Sequence, residues 1–290
     1  MEVNFERAEV ETSSLSNDHA SDFPNSLFDS LQKGFSKLNR EERLKTLVKL
    51  GVLNVTDLEY LRAGGLKDFS LGEKFIENVI GYFQLPLGVA TNFRIDGRDF
   101  VIPMAVEETS IVAAASKTAK WVRENGSIAT RSLGQNIIGQ IQIAKTQDSK
   151  KLRQAIEENR KKWIEMSNSE VAFGLVRRGG GVRDIVLREI AREDGKIMSV
   201  IHIHMDPVDA MGANIINQVC EFLKSHIEEV SSEKVTMCIL SNLVDTRLTE
   251  AKIRIEKIDP DLAEKIEEAS LFSELDPYRA ATNNKGVLNG

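Results

Sequence analysis

Between about residues 135 and 241 the spacing of apolar residues changes in a fixed order, and that order limits the possible folds more than any other feature. The run IIGQIQIA alternates apolar and polar residues like a strand, and SKKLRQAIEENRKKWIEM has helical charge spacing. VRDIVLREIA and KIMSVIHIHM read as two further strands, with Asp194-Gly195 between them as a hairpin turn. AMGANIINQVCEFLKSHIEEV reads as a helix and KVTMCIL as a last strand. The predicted order is β-α-β-β-α-β, the split βαβ pattern of ferredoxin-like domains.

The flanks have another character. Residues 1–25 are rich in Ser, Asn, Asp and Glu without apolar periodicity, which predicts a disordered tail. From Leu27 to Leu61 apolar residues recur at helical spacing, with Asn39 ahead of Glu41 and Glu42 as a helix start. A short helical pattern ends at Glu77-Asn78-Val79-Ile80-Gly81. Asp96-Gly97 lies between NFRI and DFVIPM, a hairpin signal. The helix IVAAASKTAKWV carries a smooth run of small residues, which suits the centre of a domain, and Asn125-Gly126 would cap its end. After Asn242 come a strand, AKIRIEKI, and a short amphipathic helix. The expected fold class is α+β: a mostly helical large domain over 26–134 and 242–290, with a small domain over 135–241 inserted into it.

Net charge is −6 and pI about 5.5, the wrong sign for non-specific nucleic-acid binding. No apolar run is long enough for a membrane span, and the acidic start MEVNFERAEVE has no signal-like apolar region. Two cysteines, Cys220 and Cys238, give no disulfide framework and suit core positions in a cytoplasmic protein. His202 and His204 share one strand face, but no further ligand completes a metal site, so a solvent-facing pair is expected.

Three segments allow two readings each. Asp209-Ala210-Met211-Gly212-Ala213-Asn214 opens a helix, as a plain Asp cap or as a seat for a pyrophosphate on free N–H groups. Glu107-Glu108-Thr109-Ser110 precedes another helix, either as dipole complementation or with one carboxyl raised in pKa as a general acid. Gly179-Gly180-Gly181 is a ligand loop or a flexible turn.

Taken in order, five segments resemble the class II form of 3-hydroxy-3-methylglutaryl-coenzyme A reductase. They are ENVIG at 77–81, PMAVEETS with IVAAAS behind it, DAMGAN at 209–214, ILSNL at 239–243 and DPYRAATNNKGVLNG at 276–290. The resemblance implies interconversion of hydroxymethylglutaryl-CoA and mevalonate plus CoA by two hydride transfers, with NAD or NADP as cofactor. It implies Glu108 and Lys285 as catalytic residues, with Ser110 and Arg279 on the acyl carboxylate and Asn289 beside the lysine. Glu77, Asn78 and Gly81 match a CoA-contacting segment. Asp209, Met211, Gly212 and Asn214 match the dinucleotide-binding segment, and Glu170 is a candidate for the ribose. A homodimer or higher homo-oligomer is implied, with the catalytic glutamate and lysine drawn from different subunits. Thr109 stands where many relatives carry proline. The family's catalytic aspartate and histidine have no counterpart before residue 290, so the chain as written is expected to show little turnover. Two alternatives remain: a remnant that binds only CoA and dinucleotide, and a ferredoxin-like interaction module with no small-molecule role.

Overall fold

The computed structural model describes residues 31, 34–66 and 68–290; the tail expected over 1–25 lies outside the described residues. In chain order the regular elements are α1 (Arg40–Lys49), α2 (Val55–Arg62), β1 (Leu87–Ile95), β2 (Arg98–Ala105), α3 (Ile111–Asn125), β3 (Gly126–Ser132), β4 (Ile137–Thr146) and α4 (Ser149–Met166). A π-helical turn (Ser167–Val171) and the four-residue α5 (Phe173–Val176) follow. Then come β5 (Gly181–Ala191), β6 (Ile197–Asp206), α6 (Ala213–Ser231), β7 (Met237–Leu240), β8 (Thr249–Ile255), α7 (Pro260–Leu275) and α8 (Pro277–Asn289). The strands form two four-stranded sheets, ordered β2-β1-β3-β8 and β5-β6-β4-β7. The chain forms two compact units, residues 1–128 with 253–290, and 129–252. The two crossings between the units fall inside β3 and β8.

In the unit over 129–252 the elements from β4 to β7 occur in the order β-α-β-β-α-β. All neighbouring strands are antiparallel, with Ile141 opposite Ile201 and Ile185 opposite Ile203. Ile141 and Ile143 of β4 and Ile201, Ile203 and Met205 of β6 share the covered face, as period-2 alternation requires. Against them α4 lays Leu152, Ile156 and Trp163, and α6 lays Ile216, Val219, Cys220, Leu223 and Ile227. The α6 spacing of three and four is the apolar stripe of a packed helix. Each such side chain contributes about 1.5–3 kcal/mol on burial. Gly139 makes this packing possible: a Cβ there would lie 2.5 Å from Cys220 Sγ and 2.7 Å from Ile216.

The other unit begins with two capped helices. Asn39 Oδ1 accepts from Glu42 N–H while Glu42 Oε2 accepts from Asn39 N–H, both at 2.9 Å; Asn54 and Asp57 repeat this at α2. The β1–β2 hairpin turns on Asp96 (φ 51°) and Gly97 (φ 77°), the two left-handed residues of a type I′ turn. A bulge at Thr91-Asn92 lets Thr91 N–H reach Ser116 Oγ (3.1 Å) on α3. Asp99 on β2 ties the hairpin to α3 by accepting from both Arg94 and Arg123.

Three sequence expectations need correction in this unit. Gly126 does not cap α3 in a left-handed conformation; it is extended (φ −173°). It must be glycine because a Cβ would sit 1.9 Å from the carbonyl oxygen of Arg254. Residues 77–81 end no helix and have no regular structure. Ala113 and Ala114 are exposed rather than central; Ala113 fronts a cavity. Helices α7 and α8 bury no residue.

Candidate active site

Helix α8 starts at a local signal. Asp276 caps it by accepting from Arg279 N–H (2.8 Å), and Pro277 sits in the first turn, where its missing N–H costs nothing. Lys285 and Asn289, four residues apart, therefore share a face. Both donate to one oxygen of Glu108, which lies between β2 and α3: Lys285 through Nζ, Asn289 through Nδ2 at 2.7 Å. The ammonium, by hydrogen bond and then by charge, holds the Glu108 carboxyl below its ordinary pKa. The general-acid reading of Glu107-Glu108 expected burial and a raised value; Glu108 is instead half-exposed and ionised beside a cation. Glu108, Lys285 and Asn289 all lie in the unit formed by residues 1–128 and 253–290.

Ser110 forms the N-cap of α3 in a left-handed conformation (φ 73°) and makes no capping hydrogen bond. With Glu108 it lines a cavity of about 1370 Å³. Phe35, Leu47, Leu85 and Val89 contribute apolar wall, and Ser116 and Lys117 polar wall. Arg279 is not brought to Ser110: it lines a smaller cavity of about 440 Å³ with Ser270, Ser273 and Asn283. Glu77, Asn78 (φ 56°) and Gly81 lie in an exposed loop and do not line the large cavity. The loop is closed at its neck by Tyr82, which does line it. The Tyr82 hydroxyl accepts from Gly72 N–H and donates to the Asp68 carbonyl, both at 2.9 Å, and its ring stacks on Phe69.

In the unit over 129–252, the second candidate segment opens α6. Gly212 (φ 85°), not Asp209, is the N-cap, and no side chain caps the first turn. Ile216 N–H bonds back to Gly212, so the N–H groups of Ala213, Asn214 and Ile215 point out of the helix end. Asp209 and Met211 are exposed. Gly180 is neither a slack turn nor free space for a ligand: a Cβ there would lie 2.5 Å from the Asp206 carbonyl oxygen. Glu170 sits exposed on the π-helical turn. Sequence reasoning passed over Arg178, Arg183 and Arg247, whose side chains reach residues 206–210. The Arg177-Arg178 pair directly ahead of the triple glycine was the available signal.

His202 is buried rather than solvent-facing, 8% exposed, and its Nε2 lies 3.0 Å from Gln140 Nε2. The amide can only donate, so the imidazole nitrogen accepts. Burial, then Arg188 and His204, push its pKa down, while Asp245 opposes them. Among the described residues no cluster of three or more His, Cys, Asp or Glu could hold a metal ion, and no helix is long and apolar enough to cross a membrane. Burial raises both thiols, Cys238 to about 11, so neither is a ready nucleophile.

A family model described as hydroxymethylglutaryl-coenzyme A reductase matches residues 39–290. The 3-hydroxy-3-methylglutaryl-coenzyme A reductase of Archaeoglobus fulgidus is 42% identical over 260 residues, covering 89% of this chain and 59% of that protein. A probable reductase of the same name from Borreliella burgdorferi is 33% identical over 277 residues, covering 91% of this chain and 61% of its own length. The chain thus spans about three fifths of these relatives. Among solved structures, the Streptococcus pneumoniae 3-hydroxy-3-methylglutaryl-coenzyme A reductase superposes with a TM-score of 0.83 at 34% identity, over 89% of this chain and 62% of that one. A class II form from the same organism bound to NADPH, in open conformations, gives 0.82 at 33% identity, over 89% and 71%.

Proposed function

Because this chain belongs to the hydroxymethylglutaryl-coenzyme A reductase family, we propose that it serves the interconversion of 3-hydroxy-3-methylglutaryl-CoA and mevalonate plus CoA with NAD or NADP. The observation that carries the reading is the meeting of Lys285, Asn289 and Glu108 at the rim of a large, mostly apolar cavity. The cavity suits a long acyl carrier, and Ser110 suits a polar group of the acyl unit. A dinucleotide fits the opening of α6: its first-turn N–H groups are uncapped and arginines surround it. Asp209, Met211, Gly212 and Asn214 would hold it there. When bound, it supplies the hydride.

The chain's own residues do the rest. As hydride reaches the acyl carbon, negative charge develops on the carbonyl oxygen. An ammonium fixed beside that oxygen stabilises the charge where it forms, and Lys285 is that group. Lys285 also keeps Glu108 ionised before substrate arrives. When the ammonium turns to the substrate oxygen, the carboxyl loses its strongest partner and its pKa climbs, so it can take and return a proton. Asn289 keeps the carboxylate in place meanwhile.

We assign the 129–252 unit as a ferredoxin-like dinucleotide-binding domain inserted into a CoA-binding domain, in a cytoplasmic homo-oligomer. Its strand order and the family resemblance support this. Hydroxymethylglutaryl-CoA-dependent oxidation of reduced dinucleotide tests the proposal. Lys285→Ala is expected to lower kcat by about 10²–10³-fold, as removal of an oxyanion partner does. Undiminished turnover by that variant would refute it.

A further inference from the structure

Asn-Gly pairs occur at 125–126 and at 289–290. In such a pair the peptide nitrogen after the asparagine can attack the side-chain amide, because glycine has no Cβ to hinder the approach or the backbone rotation it needs. The two pairs sit in opposite settings. Gly126 N–H donates to the Val122 carbonyl, and the Asn125 carbonyl accepts from Glu256 N–H at 2.8 Å. The Asn125 amide donates to the Trp121 carbonyl at 2.8 Å, and Gly126 opens β3 hard against the Arg254 carbonyl. The peptide between them cannot turn without breaking several contacts. Gly290, in contrast, follows the end of α8. Its N–H makes one long bond, 3.2 Å, to the Val287 carbonyl, and a Cβ there would meet no described atom nearer than 3.8 Å beyond its chain neighbour. Glu108 Oε2 holds Asn289 Nδ2 at 2.7 Å. The amide is thus anchored while the next peptide gives up one weak bond to swing toward it, and helix ends open at little cost. Lys285 donates to the same Oε2, so an ammonium stands beside the nitrogen that would leave.

We propose that Asn289-Gly290 is a self-deamidating site, and that its conversion turns the Glu108 contact from a hydrogen bond into a repulsion. The Gly290 nitrogen bonds to Asn289 Cγ and the Cγ–Nδ2 bond breaks. The amide nitrogen leaves as ammonia with the proton that the Gly290 nitrogen gave up, and a cyclic imide remains. Water opens the imide at either carbonyl, which leaves aspartate or isoaspartate at 289. In both cases a carboxylate replaces the donor that met Glu108. Two carboxylates at hydrogen-bond distance do not both stay ionised, so one takes up a proton. The chemistry needs no bound ligand and holds whatever reaction the site serves.

Incubation of the full chain in mildly alkaline buffer, with peptide mapping by mass spectrometry over time, tests this. The peptide carrying Asn289 is expected to show the amide-to-acid mass change about tenfold or more faster than the peptide carrying Asn125, the contrast between a helix end and a locked strand. Gly290→Ala has room for its methyl group and should slow the change at Asn289 by about tenfold. Asn289→Asp, which installs the product, should move the Glu108 carboxyl titration, followed by carbon NMR, to higher pH, about a tenfold gain in proton affinity. Equal rates at the two asparagines, an Asn289 that reacts only after denaturation, or a rate that Gly290→Ala leaves unchanged would each overturn the proposed modification. An unmoved Glu108 titration would overturn its effect on the carboxylate.

Discussion

The unit over 129–252 buries an apolar cluster drawn from three strands of its sheet and both long helices, with Trp163, Ile201, Ile203, Leu223 and Ile227 almost wholly enclosed. Among the described residues of the other unit, the comparable cluster is Leu31, Phe35, Leu47 and Leu50, and its last two helices bury nothing. Phe83, Ile80, Tyr278 and Leu288 stand largely in solvent there. One unit is held by its own interior. The other carries Glu108, Lys285 and Asn289 on elements whose apolar faces are open, as binding surfaces are. The large buried cluster and the Glu108–Lys285–Asn289 contact thus fall in different parts of the sequence, and substitutions should separate them.

The largest effect is expected at Trp163→Ala, about 3–5 kcal/mol of lost stability from a cavity in the small unit, read by chemical denaturation. A loss below about 1 kcal/mol there would mean that the cluster does not organise that unit. Next is Asp99→Asn, about 3 kcal/mol, because it leaves buried Arg123 without its carboxylate. Burial disfavours the Asp99 charge, but hydrogen bonds from Arg94 and Arg123 outweigh it and hold the pKa low. This stability should be present above the ordinary aspartate range and fade as pH falls through the lowered value.

A smaller effect is expected at His202. Its folded-state pKa is depressed, so the unfolded chain binds the proton first on acidification. Stability should therefore fall as pH drops from the ordinary value of about 6.5 toward the lower folded one. His202→Gln should flatten this limb in a denaturation series across pH, with Gln140, Arg188, His204 and Asp245 left in place. The smallest is Phe272→Ala on α7, within about 0.5 kcal/mol, since the side chain is more than half exposed. A large loss there would erase the contrast between the units.

The small unit's elements were legible because their signals are local: period-2 strands, a 3.6-period stripe on α6 and an Asp-Gly turn. Burial on the far face of its sheet was not legible in the same way. Alternation puts His202 opposite the helices, but Gln140 on β4 and Arg188 on β5 enclose it, and strand pairing is a long-range fact. Gly126 shows a related limit: the sequence marked it as special, but only β8, more than a hundred residues on, explains why. At the site, motif order singled out Glu108, Lys285 and Asn289, which do meet. The sign of the Glu108 shift depends on which group faces it, and spacing carries no such information. Arg279 and Ser110 line different cavities, a separation that motif matching does not reveal.

Lys285 and Asn289 fasten to the same atom of Glu108, Oε2. The two ends of that carboxylate are therefore unlike, one tethered and one left to react. A proton delivered to Oε1 would cancel the charge while the amide still grips the other end. The side chain could then change what it is without changing where it is.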